Sequence, residues 1–176
     1  MSDYFQEKIP AQIVSEDTAL PSGVKVIKGK DLIGHIGEKQ HKLDLLYLEM
    51  AKTWSNNSHC QRSKVGALIV KDKSIISDGY NGTPAGFPND CEDAENKTFP
   101  WVLHAEANAI TKLARSNQSS EDSTLYITMS PCLECSKLIV QSGIKRIVFC
   151  ELYRNLESIP FLIEAGITIC YYPLVK

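Results

Sequence analysis

Two short stretches of the chain contain the residue types of a catalytic metal site. His104 and Glu106 are separated by one residue, and Cys132 and Cys135 by two. One imidazole and two thiolates supply zinc with three of the four ligands of its tetrahedral shell, so the fourth position is left for water. An open fourth position is typical of a catalytic zinc site. We therefore predict a zinc ion bound by His104, Cys132 and Cys135.

Glu106 is not needed to complete this set of ligands. Its position two residues after His104 allows its carboxyl group to reach a water molecule on the metal. A carboxyl group in that place is suited to accept a proton and return it during a reaction. Glu106 is accordingly the predicted catalytic acid and base.

Both groups of ligands are predicted to lie at the first turn of a helix. Cys132 and Cys135 are three residues apart, so a helix projects both side chains from one face toward the same ion. Pro131 suits the first helical position, and Ser130 can act as the N-cap. The positive end of the helix dipole lowers the pKa of nearby thiols, which favours the thiolates that bind metal.

Four segments of the chain resemble the cytidine and deoxycytidylate (dCMP) deaminases, and in particular the dCMP branch. They are residues 60–67 (CQRSKVGA), 79–86 (GYNGTPAG), 104–110 (HAEANAI) and 142–145 (SGIK), within a resemblance that runs from about residue 41 to about residue 172. It implies a cytidine deaminase-like three-layer α/β/α sandwich with a mixed five-stranded sheet. The activity it implies is hydrolytic deamination of dCMP to dUMP with release of ammonia, which supplies dUMP for dTMP synthesis.

The resemblance also implies roles for residues that contact the substrate. The backbone N–H of Ala105 and the carbonyl group of Ser130 would contact the base, and Asn81 would hold the sugar. Tyr153 would pack against the base, although an exposed tyrosine explains its pattern nearly as well.

Cations close to these segments are candidates for binding the substrate's phosphate, although each is also compatible with a solvated surface charge. They are Arg62, Lys64 and Arg154. Relatives in the dCMP branch are oligomers, often hexamers, activated by dCTP with Mg²⁺ and inhibited by dTTP. We therefore expect a homo-oligomer, with a hexamer favoured, and an effector site to which Arg62 could instead belong. The candidate allosteric residues are Gly79, Tyr80 and Gly82.

Composition limits the class of protein. The 176 residues are 43% hydrophobic and 23% charged, which fits one globular domain with its own core. The formal net charge of −2 argues against binding of a nucleic acid polymer, because such binding needs a basic face. Apolar runs are too short to cross a bilayer, and acids at Asp3 and Glu7 do not fit a secretory signal. A cytoplasmic protein without a membrane partner is expected.

Four cysteines remain after the two predicted ligands. Cys60, Cys91, Cys150 and Cys170 are predicted to be free thiols in a reducing compartment, the last two as small core residues of strands. His59, Cys60 and Cys91 could in principle form a second zinc site, since some relatives carry an additional structural metal. Their spacing alone does not support such a site.

The hydrophobic pattern predicts the elements that position these residues. Strands after an initial hairpin alternate with helices, which indicates a mixed sheet with helices on both faces, and the two ligand helices begin at strand ends. The predicted helices are residues 41–54, 104–115, a segment ending at 141, and 156–165, and the predicted strands are 65–70, 74–80, 124–129, 144–150 and 167–172.

The first predicted helix should pack on the core through one apolar stripe. That stripe consists of Leu43, Leu46, Tyr47, Met50, Ala51 and Trp54. Residues 87–101 are predicted to form a loop over the mouth of the pocket. Residues 1–39 show no sustained periodicity and are predicted to be an N-terminal extension of unassigned role, before a deaminase domain over residues 40–176.

Three alternative functions are compatible with parts of this pattern. The first is a deaminase acting on dCTP, free cytidine, guanine or a tRNA adenosine, and the net charge of −2 counts against the tRNA substrate. The second is a non-catalytic zinc protein, which would have no use for Glu106. The third is a thiol redox module using Cys132 and Cys135, which does not explain the neighbouring His-x-Glu sequence.

Overall fold

The computed structural model describes residues 13–14 and 36–173 of the chain. Its elements are β1 (Ile13–Val14), α1 (Glu38–Ser55), β2 (Gly66–Lys71), β3 (Ser74–Tyr80), α2 (Ala105–Leu113), β4 (Thr124–Met129), α3 (Leu133–Gln141), β5 (Arg146–Glu151), α4 (Ser158–Glu164) and β6 (Thr168–Tyr171). Each predicted helix and strand is present, and element ends differ from the predicted ends by at most three residues. Apart from β1 and residues 36–39, the predicted N-terminal extension lies outside the described residues.

The strands form one mixed sheet in the order β1-β6-β5-β4-β2-β3. The hairpin partners β2 and β3 are antiparallel, and β2 also pairs antiparallel with β4. The strands β4, β5 and β6 are parallel, with α3 and α4 as the crossovers that parallel neighbours require. This confirms the predicted mixed five-stranded sheet, to which the two residues of β1 add a short parallel strand beside β6.

Helices cover both faces of the sheet and create two cores. On one face, α1 packs on β2, β4 and β5 and encloses residues such as Tyr47, Leu48 and Tyr126. On the other face lie α2, α3 and α4, and the larger core there includes Ile127 and Phe149. The predicted three-layer α/β/α arrangement is therefore confirmed. None of the described helices combines the length and the apolar character that crossing a membrane would need.

The apolar stripe predicted for α1 is partly wrong. The side chains of α1 that are buried are Asp44, Tyr47, Leu48, Ala51 and Ser55, whereas Leu46, Met50 and Trp54 are exposed. Two contacts set this orientation of the helix. Gly66 lets α1 approach β2 closely, because a Cβ atom there would overlap the carbonyl oxygen of Ala51. Asp44 is held against the sheet by an ion pair.

That ion pair joins Asp44 on α1 to Arg146 at the start of β5. Asp44 is fully buried, and its two carboxylate oxygens accept hydrogen bonds from the two terminal nitrogens of the Arg146 guanidinium. The hydroxyl groups of Tyr126 and Tyr172 donate to the same carboxylate at 2.8 and 2.9 Å. Burial alone would raise the pKa of Asp44, but the hydrogen bond and charge of Arg146 outweigh it and lower the pKa.

We predict that Asp44→Asn lowers the free energy of unfolding by about 3 kcal/mol at pH 7, because Arg146 is left as a mostly buried cation without its partner. The Asp44 pKa is lower in the folded state, so its contribution is present above the unfolded value of about 3.9 and is lost as pH falls through the folded pKa. Urea unfolding, measured at several pH values across this range, should show that the free energies of unfolding of the wild type and of Asp44→Asn converge at acid pH.

The matched control is Glu38→Gln, which breaks an exposed pair with Lys42 on the same helix. We expect that change to alter the free energy of unfolding by less than about 1 kcal/mol. An effect of Asp44→Asn as small as that of the control would contradict the role assigned to the buried pair.

Candidate active site

The N-termini of α2 and α3 bring the predicted metal ligands together. His104 is the N-cap residue of α2, and Cys132 is the N-cap residue of α3, with Cys135 in the first turn. The predictions that Ser130 caps the second helix and that Pro131 takes its first helical position are wrong, because Cys132 is the N-cap residue and the helix begins at Leu133. The hydroxyl group of Ser130 instead accepts a hydrogen bond from the backbone N–H of Tyr153 at 2.8 Å.

The three ligand atoms have the spacing of a zinc site. His104 Nδ1 lies 3.5 Å from the sulfur atoms of both Cys132 and Cys135, and all three atoms lie within 4.8 Å of one another. Tetrahedral zinc with ordinary Zn–N and Zn–S bonds places a nitrogen and a sulfur ligand roughly 3.6 Å apart. Within the described part of the chain, this is the one group of three His, Cys, Asp or Glu residues with such spacing. The donor set therefore fits zinc.

The pKa values of the two thiols are shifted in opposite directions. A hydrogen bond from Cys135 lowers the pKa of Cys132 to about 3, although burial opposes this shift. The pKa of Cys135 is raised by its hydrogen bond to Cys132, by burial and by the negative charge of Glu106. The hydrogen bond with the Cys132 thiolate also raises the pKa of His104. A divalent cation supplies the positive charge that allows both thiols to ionise.

Glu106 lies beside this group in the first turn of α2. Only 3% of the residue is exposed, and burial raises the pKa of its carboxyl group, although the positive charge of His104 opposes the shift. A carboxyl group with a raised pKa holds a proton more readily near neutral pH than a solvated glutamate does. The environment of Glu106 thus suits the predicted transfer of protons.

A cavity of about 740 Å³ opens onto these residues. The predicted site residues that line it are His104, Ala105, Glu106, Cys132, Asn81, Ser130, Tyr153, Arg62 and Arg154. Lys64 is exposed and is not among the residues lining the cavity, and the same holds for the candidate allosteric residues Gly79, Tyr80 and Gly82, which are partly or fully buried. Most of the substrate-binding residues that the resemblance implies therefore line one cavity, although they come from segments far apart in the chain.

The cavity also contains residues that the sequence analysis missed. They are Cys60, Ser63, Val65, Glu92, Lys97, Thr98, Val102, Ile127, Met129 and Leu152. Lys97 is the most informative of them, because it adds a third cation to Arg62 and Arg154. It lies in the loop predicted to cover the mouth of the pocket, but no local pattern marks one residue of an acidic loop as facing the cavity.

Asn81 has backbone partners within the wall of the cavity. Its side-chain oxygen accepts a hydrogen bond from the N–H of Val65, and its side-chain nitrogen donates to the carbonyl oxygen of Ser63, both at 2.8 Å. Asn81 therefore holds residues 63–65 in place. The second N–H of its amide group remains for a ligand, so the predicted contact with a sugar stays a prediction.

Tyr153 is positioned by the parallel pairing of β4 and β5. The backbone N–H of Ser130, just after β4, donates to the carbonyl oxygen of Glu151 at 2.8 Å. The hydroxyl group of Ser130 then accepts from the backbone N–H of Tyr153. These two bonds hold the segment that brings Tyr153 and Arg154 to the cavity.

The candidate allosteric residues have structural roles beside the site. A Cβ atom at Gly79 would overlap the carbonyl oxygen of Ala105, so a glycine here lets α2 pack directly on β3. Gly82 exchanges two backbone hydrogen bonds with Leu103, at 3.0 and 2.8 Å, which ties the chain entering α2 to the end of β3. An effector role for residues 79–82 stays a prediction.

The prediction of free thiols at Cys60 and Cys91 is wrong, because the structure joins them in a disulfide bond. The fold brings the loop after α1 against the loop after β3, with 5.1 Å between the two Cα atoms, a contact that spacing in the sequence cannot reveal. The candidate second zinc site at His59, Cys60 and Cys91 is therefore not formed, since both sulfur atoms are used and His59 is exposed. Cys150 and Cys170 are free and buried, as predicted.

Comparison with known proteins agrees with this geometry. The family model described as cytidine and deoxycytidylate deaminase zinc-binding region matches residues 41–151. The deoxycytidylate deaminase of Enterobacteria phage T4 is 37% identical over 147 residues, a match that covers 60% of this chain and 76% of the relative. The deoxycytidylate deaminase of Saccharomyces cerevisiae is 35% identical over 136 residues, covering 72% of this chain and 43% of the longer yeast protein.

A solved structure shows a similar fold. The dCMP deaminase from the cyanophage S-TIM5, crystallised in complex with dCMP and dUMP, superimposes with a TM-score of 0.73 and 42% sequence identity. The match covers 74% of this chain and 97% of the cyanophage chain.

We predict that the purified chain holds one zinc ion and that Cys135→Ser loses most of it, because a buried thiolate ligand is replaced by a hydroxyl group that zinc binds poorly. Metal content after dialysis is the measurement. Cys150→Ser is the control, since Cys150 is equally buried but lies in the core on the α1 face. Equal zinc content in both variants would show that Cys135 is not a ligand.

Proposed function

Since this chain belongs to the cytidine and deoxycytidylate deaminase family, we propose that it catalyses the zinc-dependent hydrolytic deamination of dCMP to dUMP with release of ammonia. Membership of the family confirms the resemblance described from the motifs and the prediction of a deaminase enzyme. The observation that carries the proposal is the buried carboxyl group of Glu106 beside a His/Cys/Cys group, in a cavity lined by cations.

The residues of the site divide the reaction between them. His104, Cys132 and Cys135 would hold a zinc ion, whose Lewis acidity would make water nucleophilic near neutral pH. Glu106 accepts a proton from the attacking water and delivers it to ring nitrogen N3, which makes C4 of the cytosine electrophilic. As the C4–N bond breaks, the same carboxyl group takes the proton of the new C4 hydroxyl group and passes it to the amino group, which leaves as ammonia while C4 becomes a carbonyl carbon.

Burial of Glu106 supports this role. A solvated glutamate gives up its proton well below neutral pH, and a carboxyl group of that acidity is a poor donor to a ring nitrogen. The raised pKa of Glu106 brings its affinity for a proton closer to that of the groups with which it exchanges. Its low exposure also keeps bulk water from competing for the transferred proton.

The cations of the cavity favour a nucleotide over a free base or nucleoside. Arg62, Lys97 and Arg154 all line the cavity that contains Glu106. None of them belongs to an ion pair among the described residues, so their charges are available to a phosphate group. We therefore assign the phosphate to these three cations and omit Lys64, which does not line the cavity.

The remaining contacts follow from the resemblance and from the lining of the cavity. We propose that the N–H of Ala105 and the carbonyl group of Ser130 bind the base, that Asn81 binds the sugar, and that Tyr153 packs on the base. Production of dUMP for dTMP synthesis and a cytoplasmic location are parts of the same proposal.

Two further functions are alternatives. A deaminase of another substrate would share the zinc group and Glu106, and dCTP is the strongest rival because its phosphates suit the same cations. A non-catalytic zinc protein is disfavoured by the buried Glu106, since an uncompensated acid beside a purely structural site is costly without a function.

We predict that the zinc-loaded chain releases ammonia from dCMP and not from cytidine, dCTP or deoxyadenosine monophosphate. The cations favour a phosphorylated substrate over cytidine, and the cavity is expected to exclude the larger purine. The exclusion of dCTP rests on the resemblance to the dCMP branch and not on the cations. Ammonia release from each compound, at equal concentration, is the measurement. Turnover of dCTP or cytidine without turnover of dCMP would overturn the choice of substrate but leave the deaminase chemistry intact.

Glu106→Gln is the variant that tests the chemistry in the same assay. The amide has the size of the acid but cannot accept the proton, so kcat should fall about 10²- to 10⁴-fold while the zinc content is unchanged. Loss of zinc from this variant would identify Glu106 as a ligand instead.

We further propose that the chain forms a homo-oligomer, with a hexamer favoured, that dCTP with Mg²⁺ activates it and that dTTP inhibits it. This rests on the resemblance to the dCMP branch. We predict that the rate depends sigmoidally on dCMP concentration, that dCTP makes this dependence hyperbolic, and that dTTP makes it more sigmoidal. Ammonia release at varied dCMP concentration measures the rate, and light scattering measures the size of the oligomer. A hyperbolic response that neither nucleotide changes would remove allosteric regulation from the proposal.

A further inference from the structure

Two loops build the side of the cavity where Arg62 lies. The first connects α1 to β2 and contributes Cys60 and Arg62 to the lining. The second connects β3 to α2 and contributes Glu92, Lys97 and Thr98. Neither loop contains a helix or a long strand, so the position of Arg62 depends on the contacts between them.

Besides the hydrogen bonds of Asn81 to Ser63 and Val65, three contacts join the loops close to Arg62. The Cys60–Cys91 disulfide bond is the first, and each of the two cysteines is only 2% exposed. The carboxylate of Glu92 is the second, because it accepts hydrogen bonds from the backbone N–H groups of Gln61 and Arg62 at 3.1 and 3.4 Å. The third is the guanidinium of Arg62, which donates to the hydroxyl group of Thr98 at 3.1 Å.

The second loop is also tied to itself at this place. Glu92 and Thr98 form a backbone bridge, and the N–H of Phe99 donates to the carbonyl oxygen of Cys91 at 2.9 Å. The carboxylate of Glu92 and the hydroxyl group of Thr98, which both accept hydrogen bonds from Arg62, therefore belong to neighbouring residues of this bridge. One fixes the backbone of Arg62, and the other fixes its guanidinium.

The charges are arranged so that Arg62 stays available. The Glu92 carboxylate accepts from backbone N–H groups, and the guanidinium donates to a neutral hydroxyl group. A direct carboxylate partner would neutralise Arg62 and compete with an anionic ligand, but no ion pair of the described residues includes it. Glu92 thus holds the backbone of Arg62 without neutralising its side chain.

We propose that the Cys60–Cys91 disulfide and Glu92 form a brace that positions Arg62 for the anionic end of the substrate, and that reduction of this disulfide weakens substrate binding. The proposal rests on the proposed function in so far as that anionic end is the phosphate of dCMP. Glu92 is a positioning residue here, since it acts through Arg62.

The redox step is an exchange with a dithiol such as dithiothreitol. The dithiol transfers two electrons and two protons, the Cys60–Cys91 bond breaks to give two thiols, and the dithiol closes into its own cyclic disulfide. After reduction, the loops are joined only by hydrogen bonds. Arg62 then has more freedom, and more of that freedom must be lost when the phosphate binds.

Kinetics of single and double variants test the role of Glu92. We expect Glu92→Ala to raise the KM for dCMP about tenfold with kcat unchanged, similar to Arg62→Ala, which corresponds to one charge-assisted contact. The double variant should be no worse than Arg62→Ala alone, because Glu92 acts through Arg62. Glu95→Ala, an exposed acid of the same loop, is the control and should match the wild type.

Two kinetic results would overturn the proposal. Additive effects of the two substitutions would mean that Glu92 does not work through Arg62. A fall in kcat with no change in KM would mean that Glu92 acts in the chemical step or stabilises the folded protein as a whole, and does not position Arg62.

Limited proteolysis tests the disulfide without any need for turnover. Lys97 is exposed in the second loop, so trypsin cleavage after it reports how firmly this loop is held. In the zinc-loaded wild type, dithiothreitol should accelerate cleavage after Lys97, with thiol titration confirming that the bond is reduced. Cys91→Ala should be cleaved at the faster rate with and without dithiothreitol.

The outcomes of this experiment are distinct from those of the activity assay. Unchanged cleavage after confirmed reduction would overturn the brace even if dCMP is deaminated as proposed. Accelerated cleavage in a protein that does not deaminate dCMP would leave the brace in place and reject the proposed substrate. Two free thiols in the protein before reduction, or a zinc ion bound by them, would also overturn the proposal.

Discussion

The convergence of two helix N-termini on one point is the constraint on which the site depends. His104 precedes α2, and Cys132 and Cys135 belong to the start of α3, yet the three ligand atoms must lie within 4.8 Å of one another. A shift of either helix by a fraction of a turn would separate them, since one residue of a helix advances it by about 1.5 Å. The sheet must therefore fix both helices closely.

The sequence meets this constraint differently for each helix. The position of α2 is fixed by packing at Gly79, because the lack of a side chain there allows the carbonyl oxygen of Ala105 to approach β3. The position of α3 is fixed by the short connection after β4, in which only Ser130, Pro131 and Cys132 separate the strand from the helix. A long connection leads into α2, so packing against the sheet replaces chain connectivity as the means of placing that helix.

Local sequence patterns predicted most of the helices and strands, but they did not predict the contacts between loops. The hydrophobic pattern was sufficient to predict β4 and the two ligand helices, because such a pattern reflects burial along one element. The disulfide between Cys60 and Cys91 and the position of Lys97 arise from loops that meet only after folding. The exposed face of α1 was misjudged for a related reason, since a buried aspartate paired with a distant arginine, Arg146, decided the orientation of the helix.

The same strands connect the buried ion pair with the active site. Tyr126 of β4 faces α1 and donates to Asp44, while its neighbour Ile127 points to the opposite face and lines the cavity. Because successive residues of a strand alternate between faces, a slip of β4 by one residue would disrupt both sets of contacts at once. Arg146 likewise begins β5, the strand whose end receives the hydrogen bond from Ser130. The polar network on the α1 face thus fixes the register of the two strands that lead to the predicted metal-binding helix α3 and to Tyr153 at the cavity.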